Sequence, residues 1–475
     1  MKYCIATTLL AALAVGGSAF AKPPIPTPPE TPVIGPWDQY FLQTLYKEAN
    51  PDTGLVEIVG TEKFNQHVEE TGVKLLGGPM LGGITPTQAR VWVRTAGPAT
   101  VQVVIDDEIQ SVERQTGPDG DYTAVLHLDG LAPATDYTYD VLVNGQPVFG
   151  DNKPTFNTFP RKGDPATFSV GFGGCARYNP PKEHVWATIA SVNPDAFLML
   201  GDNVYHDLPQ HRTKQRVHYY RRQLHPDYQK LTSTTPMYAI YDDHDLGVND
   251  SAGGLGVYEP AWKYESWKVF RENWNNPFYG MGDSYPGCWF DFSIGDVDFF
   301  MLDGRYYRDF KQGTMLGPVQ KIWLQEKLKA STATFKVLVS GTLWTEHADK
   351  GGKDSWWGVK KEREEVLGLI DRENITGIVL LSSDRHRTEV FKLERPAGYD
   401  LYEFNSGKLT NIHTHDPNPH ALFSHNEGNF FGLLKFDLAQ DDPTVSFRVV
   451  TIDNELVHET TVRESQLRAD EPKRP

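Results

Sequence analysis

Four apolar runs in this chain stop abruptly at residues that bind metals, and that recurrence constrains the fold more than any other feature. The first runs into Gly173-Gly174-Cys175. The second ends at Gly201-Asp202, with Tyr205 three residues on. The third ends at Asp242-Asp243-His244-Asp245, with Asn249-Asp250 shortly after, and the fourth at Ser382-Ser383-Asp384-Arg385-His386. Short, continuously apolar runs read as strands buried on both faces, and open α/β sheets place their chemistry at the carboxyl ends of such strands. A glycine at the strand end lets the backbone turn tightly and a metal or phosphate come close. Each cluster alone has a plain alternative, because aspartate after a strand is a common turn former or helix cap. Four such ends in one region point to a metal site.

The rhythm around them sets the fold class. From residue 162 onward strands alternate with helices: strands at 168–172, 196–200, 237–241, 299–302, 335–340 and 378–381, helices at 185–192, 262–274, 320–328 and 362–371, and a polar helical stretch at 210–230. After residue 390 the helices stop and strand patterns follow one another. That order predicts an α/β fold of two mixed sheets packed face to face with helices outside. Residues 76–160 differ, with short alternating strands such as Arg90-Val91-Trp92-Val93-Arg94. Leu131-Ala132-Pro133-Ala134-Thr135-Asp136-Tyr137, running into a strand, resembles the tyrosine corner of a fibronectin- or immunoglobulin-like sandwich. The expected division is a leader at 1–21, a proline-rich linker and helical docking segment at 22–75, the β-sandwich at 76–160, the α/β domain at 161–465 and a polar tail at 466–475.

The leader reading rests on Lys2, an apolar stretch from Ile5 to Val15 and the small-x-small site Ala19-Phe20-Ala21, which place the mature start at Lys22. The apolar stretch is too short for a stop-transfer helix, so the expectation is an exported protein, periplasmic or extracellular, with no transmembrane segment. Without Cys4 the 475-residue chain keeps two cysteines, Cys175 and Cys288. They read either as one disulfide or, for Cys175, as a thiolate ligand. A net charge of −16 argues against stable nucleic-acid binding and means that a phosphate substrate needs local cations.

Taken together, Gly-Asp-x-x-Tyr (Asp202, Tyr205), Asp-Asp-His-Asp (242–245) with Asn249-Asp250, Leu302-Asp303-Gly304-Arg305-Tyr306-Tyr307-Arg308, Lys353-Asp354-Ser355-Trp356-Trp357-Gly358 and Ser383-Asp384-Arg385-His386 resemble the alkaline phosphatase D family of calcineurin-like metallophosphoesterases, over roughly residues 75–465. The resemblance implies a dinuclear or larger centre of iron(III) and calcium. It implies Asp202 as the bridge, Tyr205 and Cys175 on iron, and Asp243, Asn249, Asp384 and His386 among the remaining ligands. Asp384 and His386 stand where the wider superfamily has Gly-His-x-His, and Asp243 where it has the asparagine of Gly-Asn-His. Phenolate and thiolate suit trivalent iron, and oxygen donors suit calcium; ligand types alone leave zinc and manganese open.

The implied function is a secreted phosphoesterase that hydrolyses phosphodiesters, phosphomonoesters or both, on small-molecule or lipid-headgroup substrates. His244 is the candidate proton donor to the leaving oxygen. Arg305 and Arg385 are candidates for phosphate oxygens, with a supporting role for Arg305 as the simpler reading. The competing function is an exported binding module on the same fold without turnover. Two departures from the family stand out. The twin-arginine signal is missing, which would leave metals to be acquired after export, and the superfamily's additional histidine has only His347 as a weak match. His413, His415, His420 and His425 read most simply as a polar surface loop unrelated to the site, and Trp344, Trp356 and Trp357 as core or site-wall residues.

Overall fold

The computed structural model describes residues 35–47, 50–105, 109–349 and 352–469. The expected leader, nearly all of the proline-rich linker and most of the polar tail lie outside these residues.

Two sheets build the α/β region. One is six-stranded, in the order Met237–Ile240, Ala196–Leu200, Thr167–Gly173, Phe430–Asp437, Thr444–Thr451, Leu456–Arg463. Its first three strands are parallel and the rest antiparallel. The other is seven-stranded, in the order Phe290–Ile294, Val297–Met301, Phe335–Val339, Ile378–Ser382, Leu401–Ser406, Thr388–Leu393, Phe423–His425. Four of its strands, from Val297–Met301 to Leu401–Ser406, are parallel. The sheets meet through aromatic pairs. Phe404 stacks on Phe447 with ring centroids 4.8 Å apart, and Phe299 meets Phe436 edge-on at 6.0 Å. Ala196–Leu200 and Ile378–Ser382 are buried at every position, which is why their sequences show no polar alternation.

Helices cover the outer faces, among them Val185–Val192, Ala261–Asn273, Gly317–Ala330 and Lys360–Arg372. The polar stretch expected as one helix at 210–230 is two, Arg212–Gln223 and Pro226–Thr234, broken at His225-Pro226, where the proline takes the first helical position. Most of Arg212–Gln223 is buried despite its polarity. Its charges are matched: Arg221 pairs with Asp38, Arg222 with Glu183 at 3.0 Å, and Arg216 with Glu272 at 2.8 Å. Asp38 belongs to the segment beginning at Gly35. That segment lays Trp37, Phe41, Leu45 and Tyr46 in one apolar cluster with Val217 and Tyr220 of this helix.

The strand-rich N-terminal part holds a three-stranded sheet (Leu75–Gly82, Gln88–Thr95, Thr123–Asp129) and a second sheet built on Ala99–Ile105 and Asp136–Val143. Tyr137 Oη accepts the Ala132 N–H at 2.7 Å, the hydrogen bond that defines a tyrosine corner. Trp92 Nε1 donates to the Glu272 carbonyl at 3.0 Å and the Ile84 N–H to Tyr238 Oη at 3.1 Å, so these sheets are fastened to the α/β region. Among the described residues no helix is long and apolar enough to cross a membrane.

Candidate metal centre

Parallel pairing brings the strand ends together. Thr167–Gly173 runs beside Ala196–Leu200, so Cys175 and Asp202 leave neighbouring strands at the same level, and the Ala176 N–H donates to the Asp202 carbonyl at 2.8 Å. Gly174 bridges to Gly407 of the other sheet, closing the gap between the two layers. That approach requires glycine, since a Cβ at 174 would lie 2.2 Å from Ser383 Oγ. Cys175, Asp202, Asp384 and His386 all have positive φ, at 55°, 54°, 75° and 50°. Left-handed backbone at a non-glycine residue costs about 1–3 kcal/mol and persists where the surroundings over-determine it. Here that strain falls on one predicted ligand after another.

The run Asp242-Asp243-His244-Asp245 divides its labour. Asp245 turns back, its carboxylate accepting the Asp242 N–H at 3.0 Å and the Val204 N–H at 2.9 Å, which ties the loop after Asp202 to the turn that carries Asp243. Asp242 faces Arg305. Asp243 faces the other ligand candidates.

Three overlapping groups result, each with ligand atoms within 4.8 Å of one another: Cys175, Asp202 and His386; Asp202, Asp243 and His244; Asp243, Asp250 and Asp354. Asp202 is shared by the first two and Asp243 by the last two, so the donors form a connected chain. Tyr205 Oη donates to Asp202 Oδ2 at 2.5 Å, beside the first group. Asp384 adds its charge to both Cys175 and Asp242. Asn249 is exposed on the loop after this turn. The neighbouring Asp250 enters the third group, its N–H donating to Asp243 Oδ2 at 2.5 Å.

The donor set fits cations. Asp202 Oδ1 and His386 Nδ1 are buried without a hydrogen-bond partner, and Asp384 Oδ2 has only the Arg385 guanidinium beside it. Burial, reinforced by the charges of Asp202 and Asp384, pushes the Cys175 thiol up; burial, with Asp243 next, does the same to the Asp202 carboxyl. Tyr205 is raised by burial and by Asp202. Burial lifts the Asp384 carboxyl to about 6, although Arg385 works against it. A thiol, a phenol and several carboxyls packed so closely disfavour one another's ionised forms, and bound cations reverse that preference.

Arg305 is wholly buried and its donors are engaged. It bonds the Asp242 carboxylate through Nε and Nη2, and Asp354 Oδ1 through Nη1 at 2.8 Å. Arg308 also bonds Asp354, and against the penalty of burial the two guanidiniums hold that carboxyl far below its usual range. Arg385 donates from Nη2 to the Asp354 carbonyl at 2.9 Å and lies 3.3 Å from Asp384 Oδ2, with Nε unpartnered. His244 stacks on the Tyr205 ring at 4.3 Å, and its Nδ1 lies 2.6 Å from Asp207 Oδ1.

The histidine-rich loop is not uniformly remote from the site, because its backbone is pinned where it passes the first group. The Asn411 N–H donates to the Cys175 carbonyl at 3.1 Å, and the His413 and His415 rings stand 5.0 and 5.8 Å from His386. His420 stacks instead on His347 at 4.1 Å, outside the three groups. Trp344 and Trp356 stack at 4.0 Å in the core. Cys175 and Cys288 are separate free thiols. Asp354, Asp207 and Asn411 escaped assignment from sequence. Asp207 had a signal, since it lies two residues beyond Tyr205, just past that motif.

A family model described as "PhoD-like phosphatase" matches residues 170–431, the stretch that contains every one of these groups. The chain belongs to that family. A second model, described as a domain of unknown function (DUF7800), matches residues 72–161. Alkaline phosphatase D of Bacillus subtilis (strain 168) is 24% identical over 370 residues, 66% of this chain and 61% of that protein, so the match spans about three-fifths of the relative. A solved structure of PhoD superposes with a TM-score of 0.68 at 17% identity, covering 84% of this chain and 92% of that one. The purple acid phosphatase PPD1 from yellow lupin (Lupinus luteus) seeds does so with a TM-score of 0.60 at 13% identity, over 82% and 74%. At these identities the two structures establish the shared architecture of mixed sheets flanked by helices.

Proposed function

We propose that this protein is an exported phosphoesterase that hydrolyses phosphodiesters, phosphomonoesters or both with metal-activated water. In this reading residues 161–465 are its catalytic domain and residues 76–160 a supporting sandwich. The observation that carries the proposal is the connected chain of ligand groups through Asp202 and Asp243. Cys175, Tyr205, His386 and Asp202 would hold iron(III), with Asp202 shared between the two metals. Asp243, Asp384 and the 249–250 loop, where Asp250 is better placed than Asn249, go to calcium. When bound, such a pair lowers the pKa of a shared water and neutralises phosphate oxygens.

The chain's own groups do the rest. His244, kept protonated beside Asp207, Asp202 and Asp243, gives its proton to the leaving oxygen. Asp207 fixes the imidazole's orientation through Nδ1. Arg385, with Nε uncommitted, reaches a phosphate oxygen. Arg305 positions Asp242 and Asp354 and does not touch substrate, because both edges of its guanidinium are already held by carboxylates.

The test is hydrolysis of a chromogenic bis-aryl phosphate beside a mono-aryl phosphate, with elemental analysis of the same preparation. Turnover of either, lost on chelation and restored by metal, is the expected result, and the ratio of the rates assigns diester or monoester preference. Metal-loaded protein that turns over neither would make the chain a binding module. Amino-terminal sequencing of material recovered outside the cytoplasm checks export, with Lys22 as the expected first residue.

A further inference from the structure

The loop that brings His413 and His415 to the ligand groups carries His420 elsewhere, to the wall of a cavity of about 650 Å³. The cavity lies between helix Lys360–Arg372, the turn after strand Thr388–Leu393 and residues 345–347, and none of its lining residues belongs to the ligand groups. Besides the acids Glu346, Glu364, Asp371 and Glu394, its lining has two parts. One is aromatic: half-buried Trp357, and the His347–His420 pair, parallel to within 8°. The other is cationic: Lys360, with Nζ 4.1 Å from the Trp357 ring centre, and two guanidiniums, Arg363 and Arg395, whose side chains are each only 9% exposed.

The arginines are held in place by the protein. Arg363 Nε donates to the Trp344 carbonyl at 2.6 Å, and Arg395 Nη2 to the Leu367 carbonyl at 2.8 Å. Glu364 and Asp371 pair with them, while Glu346 and Glu394 are exposed. Arg395 Nη1 is nevertheless buried without a hydrogen-bond partner. With Nη2 taken by Asp371 and the Leu367 carbonyl, Nη1 is the donor left to meet an acceptor, and a guanidinium answers best to a carboxylate or phosphate. Ligand cavities of this size combine flat apolar surface with a few fixed polar groups.

We propose that this cavity is a second binding site, separate from the metal centre, for a small molecule that carries a phosphate or carboxylate on a planar ring. The anion sits at Arg395 and Lys360, and the ring against Trp357 and the paired imidazoles.

The metal-loaded protein is titrated with phenylphosphonate, whose carbon–phosphorus bond is not an ester, and with benzoate, following heat and tryptophan fluorescence. The expected result is a binding event that persists in Asp202→Asn and weakens at least tenfold in Arg395→Gln and in Trp357→Leu. Turnover of an aryl phosphate in those two variants should stay within twofold of the parent. Lys360→Ala, on the exposed rim, gives the same weakening without touching a buried group. The stronger of the two ligands names the anion as phosphate or carboxylate. If Asp202→Asn abolishes all binding, or if all three cavity variants bind as the parent does, the site does not exist.

Discussion

Asp207 Oδ1 stands 2.6 Å from Nδ1 of His244, linking the loop after Asp202 to the turn that carries Asp243. Burial alone would lower the imidazole's pKa. The Asp207 hydrogen bond and the charges of Asp202, Asp243 and Asp207 outweigh it and raise the group to about 10. These acidic neighbours favour the protonated imidazole.

The sign of the pH effect follows. A protonated donor is present below its folded pKa and lost as the pH rises through it, so if His244 is the proton donor, the alkaline limb of kcat should follow its titration. Asp207→Asn keeps a side chain of the same size but removes its charge, and should move that limb down by about 1–3 units. His244→Ala should lower kcat by about 10²-fold or more. An Asp207→Asn limb superimposable on the parent's would remove Asp207 from this role.

Asp354 neutralises two buried guanidiniums at once. Asp354→Asn leaves Arg305 and Arg308 short of their shared counter-ion, and loss of one partner from a buried pair costs about 3–5 kcal/mol. A matching fall in the urea midpoint is expected. A change below about 1 kcal/mol, the scale of a surface pair, would mean that water reaches these groups.

Tyr205 donates to Asp202 within the first ligand group. If it binds iron(III) as tyrosinate, the purified protein is purple or reddish from charge transfer, and Tyr205→Phe bleaches it. An unchanged visible spectrum in that variant excludes Tyr205 as a ligand.

Asp202 is common to two groups. Asp202→Asn should lose bound metal and turnover together, as read by elemental analysis and the paired aryl phosphate assay. Because cations relieve the crowding of like charges around Asp202 and Asp384, the chelated parent should also melt at a lower temperature than the loaded one. Full metal content in Asp202→Asn would end the bridging assignment.

Much of the architecture was legible because its signals are local. The unbroken apolar run at Ala196–Leu200 read as a strand buried on both faces, and the Leu131–Tyr137 stretch read as a tyrosine corner. Helix Arg212–Gln223 was legible only as part of a polar helical stretch. Its burial depends on Asp38, Glu183 and Glu272, acids far away in the chain. Asp354 was likewise one residue of a quoted motif, and its importance comes from Arg305 and Arg308. The four loop histidines looked alike, but the Asn411 N–H bonded to the Cys175 carbonyl and the Asn418 side-chain amide bonded to the His347 carbonyl send two toward His386 and one toward His347.

What the order of amino acids decided was the stock of donors and their stations: cysteine, aspartate, tyrosine and histidine at the ends of apolar strands, behind glycines that permit sharp turns. Those features act over a few residues, so composition and spacing suffice to read them. Which donor meets which was decided only by folding. Parallel pairing sets Cys175 beside Asp202, the Gly174–Gly407 bridge brings the second sheet against the first, and buried arginines take Asp242 and Asp354 as partners. Distance in space between residues some two hundred positions apart depends on sheet order and on where charge can be neutralised, and neither is written in any single stretch of chain.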